Sequence, residues 1–181
     1  WTVVFSFLAY GYRFFSAGFG GDAALVSLSG QAAYQASLGR FLQPVYWLIR
    51  GSLVVPSVVG LFTTVFLFLT CWLIANLFGL NQTGDIALLS GLLVTHETLV
   101  VSGATYLPWM DVYALSIFFA VLGAYLLMSG GRRAWLSPVF FFLSLGLYQS
   151  YLPCAAALMI LALARQTLDG KRPGHVFARG C

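Results

Sequence analysis

The sequence predicts an all-α fold: a polytopic bundle of transmembrane helices, with amphipathic helices in the first outer loop. Three observations carry this. Of 181 residues, 60% are hydrophobic and 8% are charged, against about 25% charged in an ordinary soluble domain. Mean hydropathy is +0.90. The apolar residues also fall in runs long enough to cross roughly 30 Å of hydrocarbon as helix. With 5 acidic and 9 basic residues, a soluble domain of this size would leave most of its surface uncharged. A cytosolic globular enzyme and a disordered chain are both excluded. The pI of 9.2 reflects thinly spread cations rather than a basic patch, so membrane lipids are the expected partners and nucleic acid is not.

The spans follow in order. Segment one covers about 1–19 and is interrupted only by Arg13. Segment two, 53–78, carries no charge, and Pro56 sits where a first helical turn tolerates proline. Segment three, 86–104, is apolar except for His96 and Glu97, and segment four covers 112–128. The stretch Trp135–Ala164 is too long for a single span: thirty helical residues are about 45 Å. Divided at Tyr148-Gln149-Ser150-Tyr151-Leu152-Pro153, it becomes a hairpin of 135–148 and 151–164. The hairpin places Arg132, Arg133, Arg165, Lys171, Arg172 and Arg179 on one side, as the positive-inside rule favours. Arg40 and Arg50 then lie in the long outer loop, 20–52, and the N-terminus is inside.

That loop is not random. Ala23–Leu38 is rich in helix formers, and Phe41, Val45, Leu48 and Ile49 recur at helical spacing, with Arg40, Gln43, Trp47 and Arg50 on other faces. One or two helices lying along the outer membrane surface are expected. Cys71, Cys154 and Cys181 are far apart and form no CxxC, so neither a disulfide framework nor a zinc site is expected. The chain opens at Trp1 inside an apolar run and closes on a basic stretch. It therefore reads as a single transmembrane domain, the N-terminal part of a longer protein, whose first run is a span rather than a signal peptide.

With so few charges, each is a candidate. Asp22, in Gly20-Gly21-Asp22-Ala23-Ala24, is either the N-cap of the first outer helix or a carboxylate available as a general base, and the two roles are compatible. Glu97 and His96 lie about 15 Å into segment three if that helix is continuous, a depth at which an ionisable residue faces a polar cavity. Otherwise segment three ends near Thr95 and the pair sits in a loop. Asp111 reads as an N-cap of segment four, with Trp109 and Tyr113 as an interfacial belt. Arg13 snorkels to the headgroups, or serves a site. Arg40 rests on the surface or holds a lipid phosphate. Tyr148, Gln149, Ser150 and Tyr151 form a polar cluster below the outer headgroups, where unpaired polar groups are costly.

These residues also carry a resemblance. Phe19-Gly20-Gly21-Asp22-Ala23, Ser37-Leu38-Gly39-Arg40-Phe41-Leu42-Gln43-Pro44, Gly103-Ala104-Thr105-Tyr106-Leu107-Pro108-Trp109-Met110-Asp111 and Leu147-Tyr148-Gln149-Ser150-Tyr151 resemble the bacterial type II glucosyltransferase family over essentially the whole chain. The resemblance implies a GT-C-like inner-membrane enzyme. Such an enzyme moves a hexose, glucose by the family, from an undecaprenyl-phosphate carrier to a glycan such as O-antigen at the periplasmic face. It implies Asp22 as catalytic base; many relatives carry paired carboxylates there and this sequence has one, so the second is Glu97 or Asp111, or there is none. Arg13, Arg40, Asp111, Tyr148 and Gln149 would then bind the donor phosphate and substrate. No cofactor is expected. No obligatory metal is expected either, because there is no DxD motif and a lipid monophosphate donor has no diphosphate to neutralise. The rival class is a transporter or flippase subunit, in which Glu97, His96 and Arg13 line a path. Against it stand the lack of internal repeats and the gathering of polar residues at one face. A non-catalytic membrane scaffold is a third reading.

Overall fold

The computed structural model describes residues 1–16, 28–51, 55–105 and 107–169. Asp22, Lys171, Arg172, Arg179 and Cys181 lie outside the described residues. Among those described, every regular element is helical: α1 (Thr2–Phe15), α2 (Leu28–Ser37), α3 (Leu42–Arg50), α4 (Pro56–Leu77), α5 (Thr83–Val94), α6 (Glu97–Thr105), α7 (Met110–Ser129), α8 (Ser137–Leu147) and α9 (Leu152–Leu168). Short 3-10 turns cover Leu107–Trp109, Arg132–Leu136 and Gln149–Tyr151.

Three helical stretches are long and apolar enough to cross a membrane: Pro56–Leu77, Leu107–Ser129 and Gln149–Leu168. Helices also stand in the other three stretches expected to be spans, but they are shorter. α1 has 14 residues and α8 has 11, fewer than the ~20 that cross a bilayer untilted. The third segment is divided. α5 ends at Thr95, whose hydroxyl donates back to the Gly91 carbonyl, and the chain restarts when Leu99 and Val100 donate their N–H groups to the His96 carbonyl. Glu97 opens the first turn of α6, where a carboxylate suits the positive end of the helix dipole. The loop reading of Thr95–Glu97 is therefore the one the geometry follows. In the stretch 20–52, where one or two helices are expected, the described residues form two, α2 and α3.

The long stretch after Trp135 breaks where its polar cluster lies. Tyr148 is extended, with φ −161° and ψ 113°, and separates α8 from the turn that leads into α9. Proline in the first turns of α4, α8 and α9 starts those helices without losing a needed N–H.

α7 is the central helix. It runs antiparallel to α8, as three contacts along its length show. Ser137 donates to the Gly123 carbonyl at 2.7 Å, Ser144 to the Ser116 carbonyl at 2.9 Å, and the rings of Tyr113 and Tyr148 are 4.6 Å apart. α4 packs on another side of α7, with Phe66 stacked on Phe118. α1 crosses α4, and a hydroxyl–thiol ladder ties Thr2 to Ser90 and Ser90 to Cys71. Arg165 near the end of α9 donates to the Phe78 carbonyl just beyond α4. Such contacts stand in for hydrophobic sorting, because between lipid-exposed helices small residues and interhelical hydrogen bonds supply the association. One end of the bundle thus holds Arg40, Arg50, Asp111, Tyr148 and Gln149, and the other holds Arg132, Arg133 and Arg165.

Close approach is built on glycine. A Cβ at Gly60 would stand 2.3 Å from Phe14 Cγ, and one at Gly123 would stand 2.7 Å from the Phe141 ring. Gly60→Ala is therefore expected to destabilise the protein by about 1–3 kcal/mol through overpacking. Phe14→Leu in the same chain should restore most of the loss. Thermal unfolding in detergent reads both, and a Gly60→Ala protein that melts like the wild type would contradict the α1–α4 packing.

Candidate functional site

α3 builds the site. Its sequence alternates two stripes. Phe41, Val45, Leu48 and Ile49 are exposed, as a lipid-facing surface requires, while Gln43 and Trp47 are buried against the protein. Arg40, Gln43, Trp47 and Arg50 follow one another at spacings of 3, 4 and 3, so they share one face of the helix and its lead-in. The amphipathicity is thus reversed from that of a soluble helix: the polar and aromatic stripe points inward.

At the far end of the stripe sits an ion pair. Arg50 Nη1 donates to both Asp111 oxygens, at 2.8 and 2.7 Å, and to the Pro108 carbonyl at 3.1 Å. The Tyr46 hydroxyl donates to Asp111 Oδ2 at 2.8 Å, and the Val112 N–H donates to Oδ1 at 3.0 Å. Both charged side chains are almost fully buried, 1% and 0% exposed. Burial, and then the Asp111 carboxylate beside it, push the Tyr46 phenol well above its usual range, so it remains a proton donor at neutral pH. Asp111 does not act as the N-cap the sequence predicts. Trp109 occupies that position without a side-chain cap bond, and Asp111 lies within the first turn, bonded across to α3. The reason is competition: a guanidinium and a phenol are stronger partners for a buried carboxylate than free backbone N–H groups.

The other end of the stripe meets the α8–α9 corner. The Arg40 guanidinium lies over the Tyr148 ring, 4.6 Å from its centre, and Arg40 Nη1 donates to Gln35 Oε1 at 3.0 Å. Tyr148 also packs on Tyr151, with ring centres 5.3 Å apart. Two glutamines clamp the corner reciprocally. Gln43 donates to the Leu147 carbonyl at 2.8 Å, and Gln149 donates to the Leu38 carbonyl at 2.9 Å. Gly39 makes the second clamp possible, because it has φ +81° and any Cβ there would stand 2.6 Å from Gln149 Nε2.

Of the residues singled out from sequence, Arg40, Tyr148 and Gln149 come together at this corner, and Asp111 joins them through α3. Glu97, exposed at the start of α6, and Arg13, half-buried in the last turn of α1, make no hydrogen bond to that group among the described residues. Asp22 lies outside the described residues. Sequence reasoning missed Tyr46 and Arg50 as partners of Asp111, and Gln43 and Trp47 as buried residues. The signal was the stripe itself, read there only as the faces left over by the apolar one. Among the described residues no three His, Cys, Asp or Glu side chains converge as a metal site would need.

Removing one partner of the buried pair leaves an uncompensated charge. Arg50→Met is expected to destabilise the protein by about 3–5 kcal/mol, and Arg50→Met with Asp111→Leu should recover more than half of that loss. Thermal unfolding of the single and double variants measures it. A double variant no more stable than Arg50→Met alone would contradict the pairing.

Comparison with known proteins gives one match. The family model described as glucosyl transferase GtrII matches residues 23–181. No curated protein and no solved structure matches the chain. The matched range takes in α2 through α9 and so includes α3, Asp111 and the Tyr148 corner, which leaves one conclusion. The chain belongs to the glucosyl transferase GtrII family.

Proposed function

We propose that the protein is a membrane-embedded glucosyltransferase that moves glucose from a polyprenyl-phosphate carrier to a cell-surface glycan such as O-antigen. In this reading the reaction takes place at the periplasmic face of the bacterial inner membrane, on a GT-C-like scaffold. The observation that carries it is the gathering of two arginines, a tyrosine corner and a glutamine clamp at one end of a bundle of apolar helices, in a chain of glucosyltransferase lineage. A lipid-borne donor enters from the bilayer and a glycan acceptor from water, so the site must touch both. The end of a helix bundle does. A transporter reading would call instead for polar groups along a crossing path.

Asp22, at the outer end of the first segment, is the proposed general base. It would take the proton of the acceptor hydroxyl as that oxygen attacks the anomeric carbon, with inversion, and the bond to the lipid phosphate breaks. Arg40 or Arg13 supplies positive charge for the leaving phosphate. Tyr148 and Gln149 hold sugar hydroxyls, and Asp111 acts by fixing α3. Glu97 is the alternative base.

Asp22→Asn keeps shape and hydrogen bonding but removes the proton acceptor, and loss of a general base typically lowers the rate about 10²–10⁴-fold. The assay is transfer of radiolabelled glucose from a polyprenyl-phosphate donor in membranes carrying the full-length protein. Near-wild-type transfer by a normally inserted Asp22→Asn protein reduces Asp22 to a helix cap and moves the test to Glu97→Gln. The membrane orientation has its own check. In a background with the native cysteines replaced by alanine, Ser37→Cys should react with an impermeant maleimide from outside, and Ser129→Cys should not. Labelling of Ser129→Cys alone would invert the topology.

A further inference from the structure

The inward stripe of α3 carries polar atoms that find no partner among the described residues. They are Arg40 Nε, Gln43 Oε1, Trp47 Nε1, and Arg50 Nε and Nη2, all shut away from water. Buried polar groups are nearly always paired, and an unmet donor costs about 1–3 kcal/mol, more on a charged group. Here several lie on one helix face. Arg50 contacts Asp111 through Nη1 alone rather than through a two-pronged fork, so the other side of a buried guanidinium is unspent. The carboxylate is in place and satisfied, so the spare N–H groups are not its leftovers.

The composition of the stripe defines what would fill it. Its unmet groups are N–H donors on Arg40, Trp47 and Arg50, and one acceptor, Gln43 Oε1. Two arginines stand against one buried carboxylate, leaving net positive charge. The complement is an anion rich in acceptors that also carries a hydroxyl. Arg40 to Arg50 spans about 15 Å of helix at 1.5 Å per residue, which is too long for one compact anion and suits an extended molecule. The flanking residues Val45, Leu48 and Ile49 are exposed and apolar, so the molecule approaching this edge comes from a lipid phase.

We propose that the Arg40–Gln43–Trp47–Arg50 stripe binds the glycosyl phosphate of a lipid-linked sugar. The phosphate oxygens accept from Trp47 Nε1 and the spare Arg50 nitrogens, a sugar hydroxyl donates to Gln43 Oε1, and Arg40 adds positive charge from the far end. This rests on the transferase reading and adds Gln43, Trp47 and Arg50 to its binding residues. Trp47 is placed to do this: its ring is 6.5 Å from that of Trp109, two residues before Asp111, so Trp47 and Arg50 both face the same turn.

The test is ligand-dependent stabilisation of the full-length protein in detergent, titrated with a polyprenyl phosphate, the matching polyprenol, phosphatidylglycerol and inorganic phosphate. The variants are Trp47→Phe, which removes one N–H and keeps an aromatic ring, and Arg50→Lys, which keeps the charge and loses the spare nitrogens. The polyprenyl phosphate should stabilise the wild type saturably and the polyprenol should not. Each variant should weaken binding about tenfold or more, with the ligand-free melting temperature of Trp47→Phe near that of the wild type. Unchanged affinity in Trp47→Phe, or equal binding of the polyprenol, overturns the proposal. Phosphatidylglycerol binding as well as the polyprenyl phosphate overturns it in favour of bulk lipid, and inorganic phosphate binding as tightly overturns it in favour of a free anion. The transfer assay separates the two readings. Glucose transfer with unchanged KM in Trp47→Phe sinks the stripe and leaves the transferase. Binding that is lost in Trp47→Phe, in a protein that transfers nothing, keeps the stripe and sinks the transferase.

Discussion

The Arg50–Asp111 ion pair is the constraint around which this end of the molecule is arranged. α3 is a helix of 9 residues, too short to be stable by itself. Its outer stripe is apolar and faces away from the protein, so its apolar anchorage comes from the inner side, where Trp47 joins the core with Leu42 and Tyr46 packed against it. Polar contacts fix its position at both ends: Arg50 and Tyr46 on Asp111 at one, and Gln43 on the Leu147 carbonyl at the other. Asp111 sits in the first turn of the central helix, α7. A surface helix is thereby indexed to the core, and the α8–α9 corner is indexed to that helix in turn.

Such pairs contribute little net stability, because desolvating both charges offsets most of their attraction. Their value is positional. An apolar α3 on an apolar bundle in lipid could slide or rotate at small cost, since lipid tails are as apolar as leucine. A buried arginine that reaches one carboxylate and one carbonyl cannot. The same logic recurs lower in the bundle, where Thr2, Ser90 and Cys71 register α1, α5 and α4, and Ser116 with Ser144 registers α7 and α8.

The helical architecture was legible because the bilayer leaves few options: backbone groups without water must pair internally, so long apolar runs read directly as helix. The break at Tyr148 was also legible, from length and from the placement of Arg132, Arg133 and Arg165. The lengths of α1 and α8 were less so. Apolarity marks which residues tolerate lipid and is silent on where a helix ends, and α5 ends at Thr95 inside an apolar run. The partner of Asp111 was least legible. Arg50 is 61 positions away, and nothing in the local pattern around Asp111 distinguishes a carboxylate capping its own helix from one bonded across to another. Arg40 and Tyr148 could be singled out separately as polar residues in costly places, but their contact depends on α3 and the α8–α9 corner meeting, which is a tertiary fact.

The direction of the α3 stripe bears most on function. Read as a lone amphipathic helix, this segment puts its apolar face in the membrane and its polar face in water, and Arg40 and Arg50 are then solvated surface charges. The apolar residues do face outward, but the polar face turns onto the protein and out of water. That changes what its groups can do. A guanidinium in water exchanges one set of hydrogen bonds for another when it meets an anion, and gains little. A buried guanidinium with unmet N–H groups has already lost its water, so an oxygen arriving there is opposed by little further desolvation on the protein's side. The folding of α3 onto α7 bears that cost in advance, and Asp111 is the group that makes it bearable by holding Arg50 in place. A site of this kind discriminates against lipid tails, which cannot satisfy it, and favours a ligand carrying acceptor oxygens into a place that water does not reach. For a chain of glucosyltransferase lineage, the side of α3 turned away from lipid is therefore where substrate recognition is best sought.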